Sequence, residues 1–456
     1  MNFCGLDFTV HSLPKNDPGF IPLAAFARRH QQVATQAFAV AYQRAEDDIS
    51  VYETKIIGTP EYRQADMYYL ERLLLSLEKA WGGHTLYLCG DADLAEAIAE
   101  KFREGGEYAD PPLHIRIVYG RNFSVVVLPY DKRPASCEVS LPYGGNTKGF
   151  RIGFDAGGSD IKVSAVIDGK PVFSEEREWI AKKKSNIDYH YGYVVKALKD
   201  AAAHLPQVDA VGVSGPGLFA ANNEVIYCSI YKSLSPEVCA KEGRTLFIDA
   251  VKELGHDIPL VAIGDGEVAA IAGAMQLGGA TRVLGIPLGT NVGGGYVDKN
   301  GNLTNLRATI GCIPIDCQEG APMDEFAKVI GCSGIYLGQD GVLRIAEELG
   351  IEMKGETLAM RLKEVQALAN SGEEKALSIF HDVGVYLGHA IAWYNQFYDI
   401  AHVVIMGRVC SGRGGELLFD TAKATLASDW PECSFSFNMP DEMTRRLGQS
   451  VAAASL

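Results

Sequence analysis

Two stretches of this chain share one layout, and that duplication limits its fold more than any other feature. Residues 151–176 read RIGFDAGGSDIKVSAVIDGKPVFSEE, and residues 282–307 read RVLGIPLGTNVGGGYVDKNGNLTNLR. Each runs through an apolar strand, a glycine turn, a second strand, an Asp-Gly or Asn-Gly turn and a third strand, which predicts a β-meander closed by tight turns. Alternating Val163, Ala165 and Ile167 mark the second strand of the first meander. Helix and strand then alternate behind each copy. After the first come VVKALKDAAAHL, AVGVSGPG, TLFIDAVKELG, PLVAIGDG and EVAAIAGAMQL; after the second come ETLAMRLKEVQALAN, EEKALSIFHDVGVYLGHAIAWYNQFY, HVVIMGRV and GELLFDTAKATLA. The expectation is two similar α/β halves whose glycine loops meet at one cleft, a geometry suited to clamping a phosphate chain.

The first glycine turn, IGFDAGGSDIK, places an acid, two glycines and a hydroxyl at the end of an apolar strand. Glycine lets the backbone turn tightly and bring N–H groups against a bulky anion. The composition is ordinary for a water-soluble chain: 456 residues, 47% hydrophobic and 22% charged, enough to bury two or three cores. A formal charge of −15 argues against nucleic-acid or anionic-membrane partners, which call for a basic face. The start, MNFCGLDFTVHSLPKNDPGF, lacks the layout of a signal peptide, and no apolar run approaches the roughly 20 residues of a membrane helix, so a cytoplasmic location is expected. Ten cysteines without a Cys-x-x-Cys pair read as reduced thiols.

A turn-rich connection, LPYGGNTKG at 141–149, sets the expected boundaries: an N-terminal α/β domain over 1–147, a first half-domain over 148–280 and a second over 281–456. Within the first part, Leu70, Leu73, Leu74, Leu77 and Trp81 form one helical stripe, and HTLYLCGDADLAEAIAEKF reads strand, turn, helix with Asp91 or Asp93 as cap. This part carries no catalytic pattern. Ligand sensing, a cover over the site, a dimer contact and a purely structural role all stay open for it.

Five motifs in order, DAGGS, VGVSGPG, GDGEVAAIAGA, PLGTNVGGG and MGRVCSGRGGE, resemble the actin-like ATPase-domain superfamily, and within it the repressor/open-reading-frame/kinase (ROK) family of sugar kinases and sugar-responsive regulators. The resemblance spans about residues 150–456. It implies two actin-like (ribonuclease-H-like) half-domains around a nucleotide cleft, and ATP and Mg²⁺ as cofactors. Asp155, Gly157, Gly158 and Ser159 match the loop that handles phosphate and metal, with Asp155 holding Mg²⁺ through water. Gly289, Thr290, Asn291 and Gly293 match the partner phosphate loop. Gly407, Gly412, Gly414 and Gly415 match the adenosine-binding turn. Asp265 matches the catalytic base, placed to take a proton from a sugar hydroxyl as it attacks the γ-phosphorus. A helix cap explains the same aspartate. Gly215, Pro216 and Gly217 match a sugar-lining loop, or simply a strand-ending turn.

The chain also departs from the family pattern. Gly264-Asp-Gly-Glu267 stands where the family commonly has Asn-Asp-Ala-Asn, Asp160 replaces the lysine after the first loop, and Thr309-Ile-Gly-Cys312 falls where a Glu-x-Gly-His element reads sugar hydroxyls. Glu267 and Asp316, with Glu319 nearby, are the candidate replacement contacts. Unpaired buried polar groups discriminate by about 10⁴, so ordinary glucose is disfavoured. Cys312, Cys317 and Cys332 lie where the family has a zinc cluster, but their spacing is irregular; zinc and buried free thiols both stay open. Lys182, Lys183 and Lys184 read as a solvated run, and Trp393, Tyr394, Phe397 and Tyr398 as core against a sheet. A sugar kinase, a sugar-binding regulator and a nucleotide-binding protein without turnover are the three functional expectations. The expected partner is a small-molecule sugar, with a homodimer left open.

Overall fold

The computed structural model describes residues 1–108, 112–255, 257–324 and 328–456. The chain forms two compact units: an N-terminal unit of residues 1–141, 304–399 and 409–435, and a repeat unit of residues 142–303, 400–408 and 436–456. This division differs from the three consecutive segments expected, because residues 304–399 and 409–435 gather with the N-terminal part.

In the repeat unit, strand Phe150–Ala156 pairs antiparallel with Asp160–Ile167, which pairs antiparallel with Lys170–Glu178. Its other edge pairs parallel with Ala210–Gly215, and that strand with Leu260–Gly264. The second copy repeats this plan. Val283–Pro287 pairs antiparallel with Gly295–Val297, which pairs antiparallel with Leu303–Thr304; its other edge pairs parallel with His402–Met406, then Ser436–Asn438. Counted along each repeat, both sets of strands lie in the order third, second, first, fourth, fifth. Antiparallel meanders arise because tight turns join the first three strands, and parallel pairs because helices cross between the others.

Two helices line the sheets. Asp265–Gln276 packs on Val283–Pro287 and on Gly295–Val297, and against helix Glu442–Ala453, which packs on strands 150–156, 160–167 and 210–215. The approach is close enough that a Cβ at Gly153 or Gly212 would overlap the main chain of Ser450 or Ala453. Only glycine fits there.

The N-terminal unit holds a four-stranded sheet ordered Asp48–Ile56, Gln36–Ala45, Thr85–Cys89, Ser124–Leu128. Helix Arg63–Trp81 buries Leu70, Leu73, Leu74, Leu77 and Trp81, and Asp91 caps helix Ala92–Phe102 by accepting from the Leu94 N–H at 2.8 Å. The last carbonyls of helix Arg63–Trp81 would be orphans in isolation. Here the N–H groups of Thr309, Ala308 and Arg307 donate to Lys79, Ala80 and Trp81 at 3.0, 2.9 and 3.2 Å. The aromatic run is buried as predicted, and it bonds to this helix: Trp393 donates to Ser76 Oγ at 2.9 Å and Tyr398 to the Ala80 carbonyl at 3.1 Å.

Candidate active site

Strand register assembles the first part of the site. Asp155 stands opposite Lys162 on one neighbouring strand and Ser214 on the other. The Ser214 hydroxyl donates to Asp155 Oδ1 at 2.7 Å, and Lys162 Nζ lies 3.4 Å from Oδ2. Lys162 also pairs with Asp160 at 2.6 Å, Asp160 with Arg408 at 2.6 Å, and Arg408 with Glu176 at 2.7 Å. Three carboxylates and two cations thus form one chain, one negative charge in excess. Burial pushes the Asp155 carboxyl above the usual range, although Lys162 and Ser214 pull the other way. Burial would raise Asp160 too, but Lys162 and Arg408 outweigh it and hold that carboxyl low. The same two acids hold Lys162 above the usual ammonium range against burial.

Asp265 is the first residue of helix Asp265–Gln276 and is not its cap. Gly264 occupies the cap position, and its N–H donates to Glu267 Oε2 at 2.9 Å. Glu267, expected to touch substrate, therefore serves the start of the helix, and the Asp265 carboxyl is not used for capping. Desolvation first, then the charges of Asp155 and Glu267, push Asp265 up to about 7, while the Gly266 N–H and Lys182 act against the rise. A carboxyl tuned near neutrality suits proton abstraction at cellular pH.

The second glycine loop lies against this carboxyl: a Cβ on Gly293 would sit 3.8 Å from Asp265 Oδ1. The loop is a tight turn, with the Gly289 N–H donating to the Asn291 carbonyl at 3.1 Å and the Gly293 N–H to the Pro287 carbonyl at 3.2 Å. Asn291 is exposed and Thr290 half-buried at its tip. Gly407, with φ of 100°, backs the loop so closely that a Cβ would overlap the Leu288 main chain. Gly215, Pro216 and Gly217 form more than a strand end. Gly217–Phe219 pairs with Val225–Cys228 as a small hairpin, and the Gly217 carbonyl lies 3.3 Å from a Cβ placed on Gly264, beside Asp265.

The remaining expected residues lie in the N-terminal unit. Gly412, Gly414 and Gly415 begin helix Gly412–Asp429, where a Cβ on each would press on Asn370, Phe380 and Cys410 respectively. Asp316 is buried and accepts from Tyr336 at 2.7 Å, from the Ile21 N–H at 2.9 Å and from the Gln318 N–H at 3.0 Å. The Thr309 hydroxyl donates to the Lys79 carbonyl at 2.8 Å. Burial pushes the Cys312 thiol up to about 11 and raises Cys317 and Cys332 as well, and among the described residues no three His, Cys, Asp or Glu side chains converge as a metal site.

Sequence reading missed Ser214, Glu176 and Arg408, which only strand register or tertiary contact brings to the loop. It also set aside Lys182, whose Nζ lies 3.0 Å from a Cβ placed on Gly158. Nothing in the lysine run marks that residue apart.

The family model described as ROK matches residues 151–414. This chain belongs to the ROK family. A glucokinase of Halalkalibacterium halodurans is 26% identical over 293 residues, covering 60% of this chain and 83% of its own length. A solved ROK family glucokinase from Streptomyces griseus, in complex with glucose and AMPPNP, aligns over 67% of this chain and 98% of its own at 18% identity and a TM-score of 0.53. A solved ROK family transcriptional regulator, a homologue of the E. coli MLC protein, aligns over 68% and 79% at 13% identity and a TM-score of 0.52. These two structures establish the shared actin-like ATPase fold for this ROK chain. No helix among its described residues is long and apolar enough to cross a membrane.

Proposed function

We propose that this ROK protein transfers the γ-phosphoryl group of ATP to a hydroxyl of a sugar or sugar derivative, with Asp265 as general base. The observation that carries this reading is the state of Asp265: freed from capping by Glu267, set against the second glycine loop, and raised to about 7. In the reaction the acceptor O–H proton passes to Asp265, the acceptor oxygen bonds to the γ-phosphorus, and the bond from that phosphorus to the bridging oxygen breaks, releasing ADP. Main-chain N–H groups of Gly157–Ser159 and of Thr290 and Asn291, with the Thr290 hydroxyl, hold the phosphates, while the Gly289 and Gly293 N–H groups close the turn itself and Gly407 shapes the second loop. Asp155 is the residue that would hold Mg²⁺, through water, since a carboxylate is the hard oxygen partner this ion prefers. Bound there, the ion neutralises charge on the transferred group. Gly215–Gly217 line the acceptor side.

A second reading, binding without turnover, is favoured by one observation. Thr309, in the segment matched to the family's sugar-reading element, has both its N–H and its hydroxyl bonded to Lys79 of the N-terminal helix. ADP release from Mg·ATP across hexoses, hexosamines, N-acetylated amino sugars and sugar alcohols separates the two. Turnover with one acceptor, lowered by at least about 10² in Asp265→Asn, supports the kinase; nucleotide binding with no acceptor-dependent release supports the second reading.

A further inference from the structure

The segment after strand Lys170–Glu178 is stitched to the first glycine loop. The Trp179 indole N–H donates to the Gly157 carbonyl at 2.8 Å, and the Trp179 main-chain N–H to the Ser159 carbonyl at 3.2 Å. Three residues on, the Ser233 hydroxyl donates to the Lys182 carbonyl at 2.6 Å and pins the backbone there. The side chain of Lys182 then returns over the loop. Its Nζ and Cε lie 3.0 and 3.2 Å from the position of a Cβ on Gly158, and its charge acts on Asp265. The two lysines beside it are placed otherwise: Lys183 is exposed, and the Lys184 ammonium lies 5.3 Å from the centre of the Tyr189 ring.

An ammonium held over the first glycine loop, near enough for its charge to act on Asp265, lies beside the route a phosphoryl group would take between that loop and the base. The neighbouring charges are acidic. Asp155 and Glu267 both act on Asp265, so a dianionic terminal phosphate entering this corner meets repulsion that a cation relieves.

We propose that the Lys182 ammonium grips the terminal phosphate of a nucleotide held over Gly157–Ser159 and stays on it during transfer to the acceptor. This inference rests on the reading of that loop as a phosphate site. Lys182 keeps its protons throughout; the acceptor proton goes to Asp265, and ADP leaves with the bridging oxygen. Lysine suits the task as a compact, mobile point charge that can follow the moving group.

The test compares nucleotides that differ only at the terminal phosphate. Wild type, Lys182→Met, Lys182→Arg and Lys183→Met are titrated with Mg·AMPPNP and with Mg·ADP by calorimetry. Lys182→Met is expected to weaken AMPPNP by about tenfold or more while ADP stays within about twofold, Lys182→Arg to recover part of the loss, and Lys183→Met to behave as wild type. Equal weakening of both nucleotides, or no change in either, overturns the assignment. The comparison decides Lys182 even if no sugar is phosphorylated, an outcome that would sink only the kinase reading. Failure of wild type to bind either nucleotide would overturn both.

Discussion

Asp265 makes a claim about pH at the level of a single side chain. A base must be ionised to accept a proton, so kcat/KM should rise with pH along an acid limb near 7, the value to which burial and the neighbouring acids push this carboxyl. A limb in the ordinary carboxylate range would remove Asp265 from the role. The same shift bears on stability, and its sign is opposite to that of a salt-bridged acid. Below the unfolded carboxyl's pKa both states are neutral and nothing changes. As pH rises towards 7 the unfolded state ionises first and is favoured, and the penalty is complete above about 7. Asp265→Asn should therefore melt higher than wild type at about pH 8 and lose that advantage near pH 3.5, while losing turnover. Thermal melts at the two pH values check it. Such a residue is costly to the fold and useful to the reaction.

At the level of elements, the start of helix Asp265–Gln276 depends on a division of labour. Glu267 closes the Gly264 N–H, and that leaves Asp265 to chemistry. Glu267→Gln keeps an acceptor oxygen and is expected to fold with only a small loss, whereas Glu267→Ala should cost about 0.5–2 kcal/mol, the usual worth of a cap. Equal urea midpoints for the alanine variant and wild type would show that the cap is idle. Helix Glu442–Ala453 depends on two glycines, since Gly153 and Gly212 admit its backbone against the sheet. Much of this was legible beforehand. Glycine turns, apolar strands and amphipathic helices repeat at short range, so both meanders and the helices behind them could be read from neighbouring letters. The cap reading of Asp265 stayed open beside that of a base, and Glu267 was read as a substrate contact, because only geometry shows which carboxylate meets the Gly264 N–H.

For the molecule as a whole, the N-terminal residues are not an appendage. The final carbonyls of helix Arg63–Trp81 are closed by Arg307, Ala308 and Thr309, and Trp393 and Tyr398 bond to the same helix. Deleting residues 1–141 should strip those partners from residues 304–399 and yield aggregated or molten protein; a soluble, cooperatively melting fragment would refute this. Local pattern by itself determined the duplication, the glycine loops, the Asp91 cap and the family resemblance, because turns, caps and amphipathic periods need only near neighbours. Strand register and long-range packing decided the rest. They set Ser214 and Lys162 on Asp155, carried Arg408 to Asp160 across more than half the chain, and laid Lys182 over Gly158. They also joined residues 304–399 to the N-terminal sheet and helices. Contacts of this kind depend on which surfaces meet after the chain has folded, and no short window of sequence contains both partners.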